Sequence, residues 1–130
     1  MVTYETKRLA KGLALWRAEA VSPNGHPGQY YVTSQSGNGR YLSATAWAKC
    51  GRRCTCKDYQ VNKRTCKHII AAEMAEAADR IARKIEGGVD LERIRSELLR
   101  MACAGMSGIA LMKWEPLWIV ANELAGEPIV

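Results

Sequence analysis

The 130-residue chain has no low-complexity tract, no internal repeat and no long apolar run. Its longest charge-free stretch near the C-terminus, Met101 to Met112, is too short to cross a bilayer as a helix, so no membrane association is expected. Nothing at the N-terminus has the layout of a secretory signal. Neither a phosphate-binding glycine loop nor a paired-carboxylate motif is visible, and no helical segment carries the clustered Arg, Asn and Gln of a major-groove reader. Histidine is scarce, with only His26 and His68. Once His68 joins the cluster described next, a cysteine-dependent enzyme would have to be assembled from Cys50, Cys103 and His26, which show no recognisable arrangement. No catalytic residue is expected, and the solitary His26, in a turn-rich loop, reads as solvated.

What the chain does have is Cys54-Thr55-Cys56 and, after nine residues, Cys66-Lys67-His68. In an extended segment residues i and i+2 project to one side, so Cys54 and Cys56 can offer two thiolates to one ion while Thr55 faces away. The second pair runs into an alanine-rich helical pattern, and a helix N-terminus favours a thiolate at Cys66. Three thiolates and one imidazole suit tetrahedral Zn²⁺ and leave no open position for a reacting water, so the expected site is structural. An iron–sulfur cluster would need a fourth cysteine, for which Cys50 is near enough in sequence. Disulfides are a further reading, but five cysteines cannot all pair. Zinc is what the two paired spacings together favour, and reduced thiols imply an intracellular protein, cytoplasmic or nucleoid-associated.

Cys-Thr-Cys-Lys-Asp-Tyr at 54 to 59 and Cys-Lys-His-Ile-Ile-Ala-Ala at 66 to 72, with a two-strand segment upstream, resemble the SWIM zinc-finger family, whose pattern is Cys-x-Cys, a variable gap and Cys-x-His. The resemblance spans roughly residues 29 to 85. Members occur as modules in Mutator-type transposases, Swi/Snf-type ATPases, ubiquitin-ligase-related kinases and recombination accessory proteins. The resemblance therefore implies binding of DNA or protein rather than catalysis.

Charge is concentrated around this motif. Residues 40 to 68 hold Arg40, Lys49, Arg52, Arg53, Lys57, Lys63, Arg64 and Lys67 against one acid, Asp58, whereas residues 69 to 130 are mildly acidic. Such a run can be a merely solvated surface. Fixed beside a metal, however, an array of cations loses less entropy on meeting phosphates. Tyr30, Tyr31, Tyr41, Trp47 and Tyr59 are interleaved with these cations, which would add stacking on unpaired bases where they are exposed; Tyr59, beside the ligands, reads as core.

Along the chain, residues 3 to 20 predict a helix with Leu9, Leu13, Trp16 and Ala20 as its apolar stripe. Ser22-Pro23-Asn24-Gly25 predicts a turn. Gln29 to Gln35 and a segment from Arg40 predict two strands joined through Ser36-Gly37-Asn38-Gly39, with Ser43 to Lys49 open to either strand or helix. Ile70, Met74, Ala77, Ile81 and Ile85 predict a helix from Lys67 to Glu86, ended by Gly87-Gly88. Asp90 is the expected cap of a next helix with Leu91, Ile94, Leu98, Met101 and Ala102 inward and Cys103 buried. A last helix is expected from Pro116 to Ala125, with Leu117, Val120 and Leu124 inward. Trp114, Trp118, Ile119 and the tail Pro128-Ile129-Val130 offer more apolar surface than a short helix needs, read here as core packing, with homodimerisation left open.

The expected fold is α+β and mainly helical, with a small β-hairpin and zinc-bound loop packed with N- and C-terminal helices. One domain is expected, comprising residues 1–28, the zinc-binding region 29–86 and a helical extension 87–130. The expected function is a non-enzymatic zinc module that binds DNA or RNA with little sequence preference through its basic surface. The alternative is an adaptor or inhibitor that grips an acidic protein surface, a role compatible with a mobile element or virus.

Overall fold

The computed structural model describes residues 3–33, 37 and 39–127. The fold is mixed α+β and mostly helical, with α1 (Thr6–Arg17), β1 (Val21–Pro23), β2 (Gln29–Thr33), β3 (Arg40–Ala44), β4 (Arg53–Cys54), α2 (Lys57–Asn62), α3 (Lys67–Glu86), α4 (Leu91–Ala104) and α5 (Gly108–Leu124) in chain order. Two compact units are present, residues 4–75 and, among the described residues, 76–127 with Thr3; α3 contributes to both.

In the first unit the strands form an antiparallel sheet in the order β1-β2-β3-β4. The expected hairpin is its centre, with Tyr31 opposite Leu42 and Tyr30 opposite Ser43. Gly37 and Gly39 of the expected turn both have positive φ, the conformation only glycine adopts without strain; the rest of the turn and the strand's expected end at Gln35 lie outside the described residues. β1 overturns the turn expected at Ser22-Pro23, because Pro23 sits on an edge strand where its missing N–H is tolerated. β3 stops at Ala44 and the alanine-rich stretch becomes turns rather than more strand or helix.

Side-chain alternation gives this sheet two distinct faces. Tyr30 and Val32 point inward, and Val32 is buried with Leu15 of α1 and Ala71 and Ala72 of α3, with Trp16, Ala20 and Val21 packed around them. Trp16 thus packs half-buried against the core, while Leu15, outside the expected stripe, is the fully covered side chain beside it. Close approach of the helices is made at Gly12, where an added Cβ would fall 2.6 Å from Ile70 Cγ2 and 3.0 Å from the Lys67 carbonyl oxygen. Helix propensity alone would make Gly12→Ala stabilising by about 1 kcal/mol. Because the added methyl has no space, we expect the opposite, a loss of roughly 1 to 3 kcal/mol in urea unfolding.

In the second unit Asp90 caps α4 as expected, its carboxylate accepting from the Arg93 N–H at 2.8 Å. Ile94 and Leu98 of α4 and Ile119 and Val120 of α5 are buried. Trp114 donates its indole N–H to the Leu98 carbonyl at 2.7 Å and stacks on Trp118. Arg95 ties α4 to α5 through the Asn122 side-chain oxygen and Glu127. Two expectations fail here. α5 starts at Gly108, eight residues before Pro116, so this proline lies inside the helix and is buried. Proline's φ fits a helix, and the cost of its absent N–H is outweighed by the apolar turns on either side, whose packing a cap rule does not weigh. Cys103, with Met101 and Ala102, is exposed near the end of α4, and Leu124 is exposed at the end of α5, because both apolar stripes reach past the buried contacts of their helices. The C-terminal tail from Pro128 lies outside the described residues.

Candidate metal centre

Cys54 ends β4, and its neighbour Ser43 across the sheet places a hydroxyl 3.3 Å from the Cys54 sulfur. Cys56 has extended backbone and caps α2, so the i, i+2 geometry expected from sequence holds; Thr55 between them is exposed and accepts from the Leu42 N–H. Cys66 accepts the first backbone hydrogen bond of α3 from Ile70, which puts Cys66 and His68 at a helix start. The ligating atoms of Cys54, Cys56, Cys66 and His68, all four buried, lie within 4.8 Å of one another. The edge of a Zn–S tetrahedron is about 3.8 Å, so a small inward movement of side chains completes the shell around an ion. Cys50 is exposed and stands outside the cluster.

The surroundings suit thiolate ligands. The Cys56 N–H points at the Cys54 sulfur (3.5 Å) and the Tyr59 N–H at the Cys56 sulfur (3.4 Å). Tyr41 packs its ring 4.5 Å from the His68 imidazole, and Tyr59 covers the cluster while donating its hydroxyl to the Arg52 carbonyl. Both tyrosines are half-buried against the cluster, and Tyr30 is half-buried against the core beneath the sheet. Without an ion the four groups share protons unequally. Hydrogen bonds from Cys54 and Cys66 hold the Cys56 thiol low, whereas those to Cys54 and Cys56, with burial, push Cys66 up. Burial opposes a charged His68, but the neighbouring Cys54 and Cys56 thiolates outweigh it and hold the imidazole up to about 9. A divalent cation replaces those protons, so the donor set fits a metal. We therefore expect metal loading to release protons near pH 7 and apparent affinity to fall as pH falls. Titration with a competing chromophoric chelator across pH 6 to 9, approximately the range below the His68 value, checks this; pH-independent affinity would contradict it.

The structure separates the eight cations. Arg52 is not on the surface: its side chain is 8% exposed and forms an ion pair at 2.8 Å with Glu73 of α3, which is fully buried. Glu73 also accepts from the Tyr4 hydroxyl (2.5 Å) and the Ala46 N–H (2.8 Å). Burial pushes the Glu73 carboxyl up, and Arg52, Tyr4 and Ala46 counteract it. Arg40, Lys49, Arg53, Lys57, Lys63 and Arg64 are exposed, and Lys67 is half-buried. Asp58, the sole acid of the segment, is held by both ends of the Arg8 guanidinium at 2.9 Å and by Asn62, which lower its pKa to about 2. Sequence gave no signal for the Arg8 or Glu73 pairings. The turn of α2 was missed as well; its one legible signal is Asp58, an acid in the first turn.

Residues 31–76 match the family model described as SWIM zinc finger. No curated protein and no solved structure matches the chain. The four-residue cluster lies inside the matched segment, so this part of the chain is similar to SWIM zinc fingers, which are non-catalytic modules. Among the described residues, no helix is long and apolar enough to cross a membrane.

Proposed function

We propose that the finger holds one Zn²⁺ and binds nucleic acid through the cations around it. The supporting observation is the state of the charges. Asp58 is neutralised by Arg8, while among the described residues no carboxylate pairs with Arg40, Lys49, Arg53, Lys57, Lys63 or Arg64. Solvated surface charges on a folded domain are more often interspersed with their opposites; a one-signed set fixed by a metal loop suits phosphates. Three thiolate ligands require reducing conditions, so the same reading makes the protein intracellular.

With about four phosphates engaged, log affinity falls against log salt with a slope of roughly −3 to −4. Replacing Arg53 and Arg64 together by alanine flattens the slope by about 1.4 to 1.8 and weakens all sequences alike. Electrophoretic mobility shifts of the zinc-loaded protein on single- and double-stranded DNA and RNA, repeated with chelator, check both. Absence of binding at low salt would remove this reading in favour of an acidic protein surface as the partner.

A further inference from the structure

The sheet face turned away from α1 and α3 has its own composition. Register places Gln29, Ala44 and Arg53 in one cross-strand row and Tyr31 opposite Leu42 in the next, with the Thr55 N–H bonded to the Leu42 carbonyl. One step further, Arg40 lays its guanidinium 3.7 Å over the Tyr31 ring. Between this face and α2 is a cleft of about 600 Å³, within the ~300 to 1,000 Å³ typical of small-ligand sites. Leu42 and Ala44 line it together with Arg53, Lys63, Thr55 and Gln60; among the described residues no aspartate or glutamate does.

We propose that this cleft is a subsite for one unpaired nucleotide of a single strand. Arg53 and Lys63 hold its phosphate, its ring lies over the apolar Leu42 and Ala44, and the strand continues across the sheet to the Arg40–Tyr31 pair. The inference rests on the nucleic-acid reading above and narrows it. Two arguments choose the occupant. Cations over an apolar base, with no acid among the lining residues, complement a phosphate joined to an aromatic ring rather than a carboxylate-bearing peptide. A concave cleft of this size admits a splayed-out base, whereas a duplex keeps its bases stacked inside and presents only its backbone. Leu42 and Arg40 are two residues apart on β3, about 7 Å, so a strand leaving the cleft meets the Arg40–Tyr31 platform directly.

Fluorescence anisotropy of the zinc-loaded protein with a thymidine homopolymer and a hairpin duplex of equal phosphate count tests this. Single strands are expected to bind roughly tenfold or more tightly than the duplex, given base stacking at the subsite. Leu42→Glu should abolish that preference with zinc content unchanged. Arg53→Ala with Lys63→Ala, both exposed, should flatten the single-strand salt slope by about 1.4 and the duplex slope by less, with zinc content unchanged. Lys49→Ala with Lys57→Ala, outside the cleft, should weaken both substrates alike. Equal affinity for the two substrates, or a preference untouched by both cleft variants, overturns the subsite while leaving the basic-surface reading standing. Failure of both substrates to bind overturns both readings. Displacement of the single strand by polyglutamate at equal charge also overturns the subsite and assigns the cleft to an acidic protein.

Discussion

Replacing Cys66 by serine is expected to abolish stoichiometric zinc binding and unfold the segment from about residue 48 to residue 70. Besides the Arg52–Glu73 and Arg8–Asp58 pairs, that segment has little regular structure to hold it. β4 is two residues long and α2 six, and α2 buries none of its own residues. A helix of one and a half turns is unstable alone, and two strand pairings cannot compensate. Metal ligation, worth on the order of 10 kcal/mol in comparable sites, supplies the difference. Hydrogen exchange with and without chelator checks the extent: amides of residues 48 to 70 should lose protection, while the middle of α4 keeps it. Equally slow exchange in both states, or full zinc occupancy in Cys66→Ser, would refute the assignment of ligands. Cys50→Ser and Cys103→Ser should leave zinc content unchanged, since both thiols are exposed and outside the cluster.

Arg52→Ala is expected to destabilise the zinc-loaded protein by about 3 to 5 kcal/mol, because it strands the buried Glu73 carboxylate without its cation. Its neighbour Arg53→Ala should cost less than about 1 kcal/mol, since that side chain is exposed. The contrast separates two cations that are adjacent in sequence. Glu73→Leu combined with Arg52→Met should recover only part of the loss, since it removes the uncompensated charge but leaves the Tyr4 hydroxyl and the Ala46 N–H without the carboxylate that accepts from them. Urea unfolding of the four zinc-loaded proteins measures this. A loss in Arg52→Ala no larger than in Arg53→Ala would show that the buried pair does not hold the metal loop to α3.

How much of this was legible beforehand follows the range of the interactions. The α3 boundaries, Lys67 to Glu86, were read correctly because a 3.6-residue periodicity, a ligand-bearing start and two terminal glycines all act within a few residues. The Asp90 cap was legible for the same reason. β1 was hidden because three residues containing a proline carry no strand pattern of their own, and only β2 alongside makes them a strand. Pro116 misled because a local start rule competes with packing over the whole of α5.

By itself the sequence determined the clustering of Cys54, Cys56, Cys66 and His68, since i, i+2 spacing in extended backbone and at a helix start fixes where short side chains point. It also determined the excess of cations around that cluster. Only the tertiary structure decided which of those charges are surface and which are scaffold. Arg52 and Arg53 differ by one position, yet one is closed against Glu73 and Tyr4 while the other lines a cleft on the open sheet face. Arg52 lies just before β4 and reaches α3, whereas Arg53 opens the strand and faces the other way. Which side is covered depends on where α1 and α3 come to rest, and that is settled by the long-range burial of Leu15, Val32, Ala71 and Ala72 rather than by any local pattern.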